Sequence, residues 1–382
     1  MPLTIHPLTS AREVRRFIGV PWRIKALTDD PLWVPPLRVA VLDALDEKKN
    51  PFYRRAARQL FIAMRDGRPV GRIAAIENRA HNDFHHDRVG FFGFFESVED
   101  AEVSRALFDA AANWLRERAL TTMRGPMSPS TNHECGLLVD GFDRHPVFMT
   151  PWNPPYYEAL LQRAGLAAVK DLLGHLLDAD DSAFRFPERF ATHAQRAREG
   201  GRVTIRSLDP KRFDQELEFC WEVYNAAWER NWGFVPFAHD EFAHMGESLK
   251  PLLVPELALT VEVDGKPAGF VLLVPDFNLV AKRIRNGRLF PTGVIKLLLG
   301  KRRIRFGRIM ALGVKREYRR SDVFALLVDE LYRRGMAYGM TKAEASWVLE
   351  NNELMNRPMR AMGGKAYRRW RIYERALGGL GS

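Results

Sequence analysis

The sequence predicts a mixed α/β fold (an α+β mixed sheet), with one central sheet in each of two similar tandem domains. Two repeats support this prediction. The opening strand and helix recur as VTIRSLDPKRFDQELEF, and the hairpin RDGRPVGRIAAIEN recurs as VDGKPAGFVLLVPDFN. Leu3 and Val203 are 200 residues apart, and Gly67 and Gly265 are 198 apart, so the repeats keep a nearly constant spacing. Such self-similarity indicates two copies of one structural unit.

Each half is expected to run strand, helix, hairpin, strand, helix, strand, helix, strand. The Asp-Gly pair in each hairpin is typical of a tight turn between two strands. The strands VGFFGFFESVED and RIMALGVKREYRRSD are each followed by an amphipathic helix. In the second of these helices, Val323, Leu327 and Leu331 recur every four residues and form an apolar stripe that can pack on a sheet. A helix and a final strand are then expected to close each half.

The domain boundary is predicted within DADDSAFRFPERFATHAQRAREGG, a polar stretch that ends with Gly-Gly. We assign residues 1–190 to an N-terminal domain and residues 191–382 to a C-terminal domain. A chain of 382 residues is long enough for two cores. Its composition, 46% hydrophobic and 27% charged, excludes a disordered protein.

The sequence contains no run of about 20 apolar residues, so no membrane-spanning helix is expected. The N-terminus lacks the apolar segment of a secretory signal. The two cysteines, Cys135 and Cys220, form neither a paired-metal spacing nor a disulfide framework. We therefore expect a cytoplasmic protein with reduced thiols and no metal.

Positive charge is concentrated in the second half. The net charge is +11, and residues 279–320 contain fourteen Lys or Arg against one acid, Glu317. At about 279–308 these cations alternate with Leu, Ile, Phe and Val, a pattern typical of an element that rests on an anionic membrane surface. An ordinary helix with a solvated basic end is the alternative. We predict a basic amphipathic insertion and a peripheral location on the inner membrane.

The second half resembles the GNAT superfamily of acyl-CoA-dependent N-acyltransferases, and a fainter copy covers the first half. IMALGVKREYRR resembles the fourth strand and its turn, VFALLVDELYRRGM the next helix, and ASWVLENNELMNRPMRAMGG the fifth strand, a turn and a helix. KAYRRWRIYERAL resembles the last strand. The resemblance implies that the CoA pyrophosphate binds at Leu312, Gly313, Val314, Arg319 and Arg320, where a helix N-terminus favours an anion.

Two departures from the family pattern affect this prediction. Arg320, Asp322 and Phe324 replace the glycines of the phosphate-binding turn. Arginine could bind phosphate by charge instead, and an acyl carrier protein could replace CoA as the donor. Met359 occupies the position of the family's tyrosine acid, so proton transfer needs another group, such as Tyr367 or a water.

The whole chain more closely resembles a group of about this length that includes bacterial ceramide synthases. The shared motifs are TNHECGLLVDGF, WNPPYYEALLQRAGL, NWGFVPF, PDFN, NGRLFPTG and the WVLENN–RIYE ending, and they span both halves. The resemblance implies transfer of a long-chain acyl group from acyl-CoA to the amine of a sphingoid base.

An N-acyltransferase needs a base for the amine and groups that position the thioester. Glu350 is the predicted base, because it follows an apolar strand where partial burial would raise its pKa. A helix-capping role is the alternative. Asn352 could hold the pantetheine amide or cap the helix. Asp276 follows the apolar strand FVLLV and could reach a cleft or belong to a plain turn.

Four further residues are candidates for substrate binding. Asn231 and Trp232, in RNWGF, could line an acceptor pocket or pack in an ordered loop. Asn132 and Glu134 flank His133 in a loop that could contact the substrate or the other domain. Without a second His or Cys cluster, this loop does not predict a metal site.

Two other functions remain open. A transferase that takes amino acids from tRNA would use the basic segment to bind RNA. That segment offers only Phe290, Phe306 and Tyr318 for base stacking, so nucleic acid is not the expected partner. A module that binds acyl-CoA without catalysis is the other alternative.

Overall fold

The computed structural model describes residues 2–290, 292–300 and 303–378. Contacts divide the chain into two compact units. Unit 1 comprises Met1–Leu172, Asn278–Leu299 and Arg368–Ser382, and unit 2 comprises Leu173–Phe277 and Gly300–Tyr367. The part of the basic segment at Asn278–Leu299 thus belongs to unit 1, and the part from Gly300 onward belongs to unit 2. The division at residue 190 into two GNAT-like domains stays a prediction.

The strands are β1 Thr4–Leu8, β2 Ala56–Arg65, β3 Arg68–Asn78, β4 Val89–Ser97, β5 Thr122–Gly125, β6 Met127–Ser128, β7 Glu134–Cys135, β8 Leu137–Asp140, β9 Ala167–Asp178, β10 Val203–Ser207, β11 Ala258–Val263, β12 Lys266–Pro275, β13 Phe306–Val314, β14 Lys342–Leu349 and β15 Lys365–Ala376. The helices are α1 Ala11–Ile18, α2 Lys25–Thr28, α3 Arg38–Ala44, α4 Arg79–His85, α5 Ala101–Arg116, α6 Tyr157–Arg163, α7 Glu188–Glu199, α8 Phe213–Trp228, α9 His239–Leu249, α10 Asn278–Ala281, α11 Thr292–Gly300, α12 Val323–Tyr338 and α13 Glu353–Ala361.

The two predicted hairpins are confirmed. Asp66 and Gly67 have φ of 51° and 73°, and Asp264 and Gly265 have the same two values. Positive φ at both central residues is typical of the turn that joins two antiparallel strands with the natural twist. Each hairpin therefore fixes the register of its strands, β2 with β3 and β11 with β12.

Within each unit, antiparallel strands lead to one parallel pair. The order β1-β2-β3-β4-β5 in unit 1 matches the order β10-β11-β12-β13-β14 in unit 2, and the parallel pairs are β4 with β5 and β13 with β14. In unit 1, α5 packs its apolar face on β2 and β3. In unit 2, α12 and α8 pack on opposite faces of β13. The predicted mixed α/β fold is confirmed.

Each half of the sequence closes with a helix and a strand, as expected: α6 and β9 in the first half, and α13 and β15 in the second. The two closing strands, however, are exchanged between the units. The last strand of the chain, β15, pairs in unit 1 with β5, from Tyr373 opposite Gly125 to Ala376 opposite Thr122. In unit 2, the strand beside β14 is β9, which comes from the first half of the sequence. Hydrophobic patterning cannot foresee this exchange, because similar repeats supply similar strands.

Candidate active site

Strands β13 and β14 begin as a paired ladder and then part. Their register starts at Phe306 opposite Lys342 and ends at Ile309 opposite Ala345. Beyond these pairs, the described residues of the two strands are no longer ladder partners of each other. Parted strands present backbone N–H and C=O groups that can bond an extended ligand, as a sheet edge bonds an added strand. We call this space, between 310–314 and 346–349, the unit 2 gap.

A bulge in β13 coincides with the start of the gap. Leu272 pairs with Ala311 and Leu273 pairs with Ile309, so Met310 is the extra residue opposite β12. A bulge bends its strand and increases the local twist. The bulge therefore supplies a local cause for β13 to turn away from β14.

The side chains of the predicted cofactor-binding strand are taken up by packing. A Cβ on Gly313 would lie 2.2 Å from the Cζ3 atom of Trp228, whose ring stacks on Tyr224 with centroids 4.6 Å apart. Leu312 packs in an apolar cluster with residues of α12, and Val314 is buried. Gly313 and Val314 can therefore contact a ligand only through their backbone, whereas Leu312 is half-buried.

The turn after β13 has both structural and exposed cations. Arg319 donates from Nη2 to the carbonyl of Ala227 at 2.7 Å and from Nε to the carbonyl of Val314 at 3.3 Å. These bonds tie the turn to the end of α8. Arg320 and Arg316 are exposed on the same turn. Of these three cations, Arg316 and Arg320 have the better access to an anionic ligand.

Helix α12 begins after an acid whose charge is balanced. Asp322 accepts hydrogen bonds from Arg196 at 2.5 and 2.7 Å, and Nδ1 of His193 lies 2.6 Å from its carboxylate. The Arg196 guanidinium holds the pKa of Asp322 at about 2. An unbalanced carboxylate here would repel an anion from the positive end of the helix dipole. Its pairing with Arg196 removes much of that repulsion.

Four polar side chains form a hydrogen-bonded chain directly before the gap. Arg308 donates from Nε to Ser346 Oγ at 3.0 Å, and Ser346 Oγ donates to the Glu344 carboxylate at 2.6 Å. The Tyr367 hydroxyl donates to the other oxygen of that carboxylate. Arg308, Ser346 and Glu344 are buried. Hydrogen bonds to ionised groups are strong in such low-dielectric surroundings. We call these residues the Glu344 chain.

The Glu344 chain is suited to moving a proton. Tyr367 is half-buried, and its hydroxyl contacts a buried carboxylate that can share its proton. Arg308 keeps its proton, balances the charge of Glu344 and lies over the Trp347 ring at 4.6 Å. The sequence indicates Tyr367 as a proton donor but not Arg308, Glu344 or Ser346. The available signal was a pair of polar residues, Glu344 and Ser346, at alternate positions of an otherwise apolar strand.

Met359 and Asp276 have different surroundings in unit 2. Met359, at the position of the family's tyrosine, lies in an apolar cluster and cannot supply a proton. Asp276 is completely buried after β12, and its N–H donates to the Phe306 carbonyl at 2.8 Å. Phe306 begins β13, so Asp276 lies at the end of that strand away from the gap. A catalytic role for Asp276 stays a prediction.

Glu350 is exposed, so the expectation that it is partly buried is wrong. It follows the end of β14, where Asn356 donates from Nδ2 to the carbonyls of Leu349 at 3.1 Å and Glu350 at 3.0 Å. Asn352 precedes α13, and in this described turn its side chain makes no capping hydrogen bond. The capping alternative for Asn352 is therefore wrong, while its proposed contact with the donor stays a prediction.

Asn231 and Trp232 lie in the loop between α8 and α9. The Asn231 N–H donates to the Trp228 carbonyl at 2.8 Å. Further along, the Asn225 amide accepts from the Phe237 N–H at 2.9 Å and donates to the Phe237 carbonyl at 3.2 Å. These bonds fix the loop, as the ordered-loop interpretation expects. The predicted role in acceptor binding is still a prediction.

Helix α9 carries a titratable group that sequence analysis missed. Burial and the neighbouring Asp240 raise the pKa of Glu241 to about 7. The next residue, Phe242, packs against the rings of Phe237 and Tyr224. A carboxyl group with a pKa near neutrality can act as a base toward an amine.

The corresponding strands of unit 1 also part, but their gap is filled. β4 and β5 share three ladder pairs before they diverge. A Cβ on Gly93 would lie 1.7 Å from the Met127 carbonyl oxygen, and the Phe94 N–H donates to Ser128 Oγ at 3.0 Å. The chain after β5 thus returns against β4. In unit 2, by contrast, the chain after β14 leads into the turn before α13.

The two remaining predicted residues belong to unit 1. The Asn132 N–H donates to Ser130 Oγ at 3.2 Å, and Glu134 is exposed in β7. Between them, His133 lies with Nδ1 2.9 Å from Ser130 Oγ and with its ring against Phe52. All other predicted site residues are in unit 2. Substrate contact by Asn132 and Glu134 stays a prediction.

The described residues contain neither a metal-binding cluster nor a membrane-spanning helix. No three or more of their His, Cys, Asp or Glu side chains are grouped so that they could hold a metal ion. None of the described helices is both long enough and apolar enough to span a membrane.

The fold matches solved structures of tandem GNAT proteins. One is a tandem GNAT protein from the clavulanic acid biosynthesis pathway, 14% identical, with a TM-score of 0.58 over 99% of both chains. Another is a GCN5-related N-acetyltransferase from Sphaerobacter thermophilus, 13% identical, with a TM-score of 0.53 over 98% of this chain and 96% of that one. The chain is a tandem GNAT-fold protein.

Sequence comparison defines the family more closely. No protein-family model matches the chain. Bacterial ceramide synthase from Caulobacter vibrioides is 36% identical over 382 residues, which cover 98% of each chain. Protein YghO from Escherichia coli is 34% identical over 379 residues, 98% of this chain and 95% of that protein. The chain belongs to the family of bacterial ceramide synthase and has the GNAT fold.

Proposed function

We propose that the protein is an N-acyltransferase that moves a long-chain acyl group from acyl-CoA to the amine of a sphingoid base. The observation that carries this proposal is the unit 2 gap with the Glu344 chain beside it. Membership in the family of bacterial ceramide synthase supports the choice of substrates. The fold shared with GNAT proteins supports acyl-CoA as the donor.

The acyl donor binds in the unit 2 gap. Pantetheine is an extended chain with two amides, which can bond the backbone groups of two parted strands. The exposed cations Arg316 and Arg320, on the turn that follows β13, contact the phosphates. This arrangement places the thioester near the start of the gap, where Ser346 and the Glu344 chain lie.

The Glu344 chain supplies proton transfer. The amine attacks the thioester carbonyl, a C–N bond forms and the C–S bond breaks. The Tyr367 hydroxyl gives its proton to the leaving thiolate while Glu344 stabilises the exchange. The acceptor enters as an ammonium ion and loses two protons, of which one ends on the CoA thiol and one in solvent. Glu344 is the first candidate for the group that deprotonates the ammonium, and Glu241, with a pKa of about 7, is the second.

Release of CoA thiol from palmitoyl-CoA tests the proposal. The acceptors are sphinganine, 3-ketosphinganine, glycine and spermidine, and the product is confirmed by mass spectrometry. Release with the two sphingoid bases alone is the expected result. Release with the small amines instead would contradict the acceptor class.

A carrier-protein donor is distinguished in the same assay. Palmitoyl-acyl carrier protein replaces palmitoyl-CoA at equal concentration. If only the carrier-bound thioester reacts, the acyl-CoA assignment is wrong although acyl transfer stands. If neither donor reacts but palmitoyl-CoA binds, the protein is a binding module and the proposed catalysis is wrong.

A further inference from the structure

Exposed apolar side chains are concentrated in two short elements of unit 1. Eight large hydrophobic residues are exposed among the described residues, and five of them lie in α3 or in residues 290–299. These five, with their exposed fractions, are Val39 52%, Leu42 40%, Phe290 75%, Ile295 57% and Leu299 74%. A cluster of exposed apolar residues is unusual enough on a protein surface to indicate a binding partner.

The two elements are joined by specific contacts. Arg38, the first residue of α3, donates from its N–H to the Gly287 carbonyl at 2.9 Å and from Nε to the Asn286 carbonyl at 2.8 Å. Trp22 Nε1 donates to the Arg285 carbonyl at 2.8 Å, and the Arg38 guanidinium lies 3.8 Å over the Trp22 ring.

Gly287 makes this close approach possible. It has a φ of 65°, and a Cβ there would lie 2.5 Å from the Pro36 carbonyl oxygen. Residues 285–287 are therefore held against the chain that enters α3. The position of α3 and the path of the basic segment are fixed together, and both belong to unit 1.

Each helix exposes its apolar residues on one side. Val39 and Leu42 are three positions apart in α3, and Ile295 and Leu299 are four apart in α11, spacings that place each pair on one helix face. Phe290 precedes α11 and is the most exposed of the five.

The charge around these residues selects the partner. Residues 278–300 contain five Lys or Arg and no Asp or Glu. The four exposed members are Arg283, Arg285, Arg288 and Lys296. In α3 the charges are balanced, with Arg38 and Asp43, so the excess cations come from residues 278–300. Apolar side chains beside such an excess of cations match a surface with an anionic layer over hydrocarbon. A protein partner would need to be both acidic and apolar over the same area, which is uncommon at interfaces.

We propose that α3 together with residues 282–290 and 292–299 forms the surface by which this protein binds an anionic lipid bilayer. The apolar side chains insert at the headgroup boundary, and the cations contact lipid phosphates. This inference adds α3 to the basic segment that the sequence indicates. It does not depend on the acyl-transfer reaction.

Binding of the full chain to vesicles tests the surface without substrate. Vesicles of phosphatidylcholine with 30% phosphatidylglycerol are compared with pure phosphatidylcholine by co-sedimentation. The expected result is strong binding to the anionic vesicles, weakened by salt, and little binding to neutral ones. Equal binding to both, or none to either, would overturn the proposal.

Variants test both elements separately. We expect Val39→Glu with Leu42→Glu, and Ile295→Glu with Leu299→Glu, each to lower vesicle affinity on the order of tenfold or more. Arg285→Glu with Arg288→Glu should do the same. Leu354→Glu is the matched control, since Leu354 is 71% exposed on α13 in unit 2. Folding is checked by thermal melting.

Four results would contradict the proposal. An unchanged affinity in the α3 double variant would exclude α3 from the surface. An equal loss in Leu354→Glu would show a non-specific effect of added charge. A change in oligomeric state in the apolar variants, with vesicle binding intact, would identify the surface as a contact between copies of the chain. Salt-sensitive tRNA binding without vesicle binding would assign the cations to nucleic acid.

Discussion

Units 1 and 2 use the same strand order and differ in what fills the space between the parallel pair. In unit 1, the backbone of Met127 lies against Gly93, and Ser128 bonds the Phe94 N–H. In unit 2, β13 and β14 part at Ile309 and Ala345, and a polar chain with a buried carboxylate lies beside the opening. A short return of the chain thus fills the space between the parallel strands of unit 1, and the described residues of unit 2 have no equivalent return between β13 and β14. The difference favours unit 2 as the catalytic unit.

Substitution of Glu344 should produce the largest effect. Glu344→Gln removes the carboxylate that accepts from Tyr367 and Ser346, so kcat should fall about 100-fold or more. Tyr367→Phe should lower kcat with little change in donor affinity. Both are measured by thiol release, with palmitoyl-CoA binding and thermal melting as controls for folding.

Glu350→Gln is the matched comparison for Glu344→Gln. Glu350 is exposed after β14, and its replacement should leave kcat within about threefold of the unsubstituted enzyme. If Glu350→Gln abolished turnover and Glu344→Gln did not, the base would be the residue that the sequence suggested. The Glu344 chain would then be structural.

The filled gap of unit 1 predicts a strong steric effect at Gly93. A Cβ there would lie 1.7 Å from a backbone oxygen, which cannot move without displacing β6. Gly93→Ala should lower the free energy of unfolding by about 3 kcal/mol. Chemical denaturation measures this loss, and Gly378→Ala, where a Cβ would meet nothing within 4 Å and φ is not positive, separates the clash from simple loss of glycine. A Gly93→Ala variant as stable as the parent would show that the gap of unit 1 is not filled.

The turn after β13 predicts a moderate effect on donor binding. Arg320→Gln should raise the Kd for palmitoyl-CoA about fivefold and leave kcat unchanged, because one charge-assisted phosphate contact is lost. Arg319→Gln should instead lower thermal stability, since Arg319 bonds the carbonyls of Ala227 and Val314. Calorimetric titration measures the binding effect, and thermal melting measures the stability effect. If Arg319→Gln weakened donor binding and Arg320→Gln did not, the phosphate contact would belong to Arg319.

Substitution of Glu241 should have a smaller effect, a pH-dependent change in the stability of unit 2. Its pKa is raised to about 7, so the folded state binds its proton more tightly than the unfolded state does. Proton binding by Glu241 therefore stabilises the folded state fully below pH 4.5, and this stabilisation is lost as the pH rises through 7. Glu241→Gln should therefore be more stable than the parent at pH 8 and lose this advantage at pH 5. An equal difference in unfolding free energy at both values would contradict the raised pKa.

Local patterns predicted much of the fold. The Asp-Gly turns at Gly67 and Gly265 and the apolar stripe of α12 depend on neighbouring residues, and the structure confirms them. The exchange of β9 and β15 could not be predicted, because strands of equal pattern can pair with either repeat. Sequence reasoning places each strand in its own half by default.

The burial of the candidate site residues was harder to predict from the sequence than the fold. Glu350 was chosen from its place after an apolar strand, but such a residue lies as readily in solvent as in a cleft. Glu344, within the strand, is buried because Ser346 and Tyr367 satisfy its oxygens. Burial of a charge depends on partners that are distant in sequence, which no local pattern reports.

The location of the acyl donor is the central claim, and amide hydrogen exchange tests it most directly. The exchange of the full chain is compared with and without a non-reactive thioether analogue of palmitoyl-CoA. We predict slower exchange at 310–314 and 346–349 in unit 2, with 92–97 and 125–128 of unit 1 unchanged. Protection confined to the unit 1 segments, or absent from both despite analogue binding, would contradict the account.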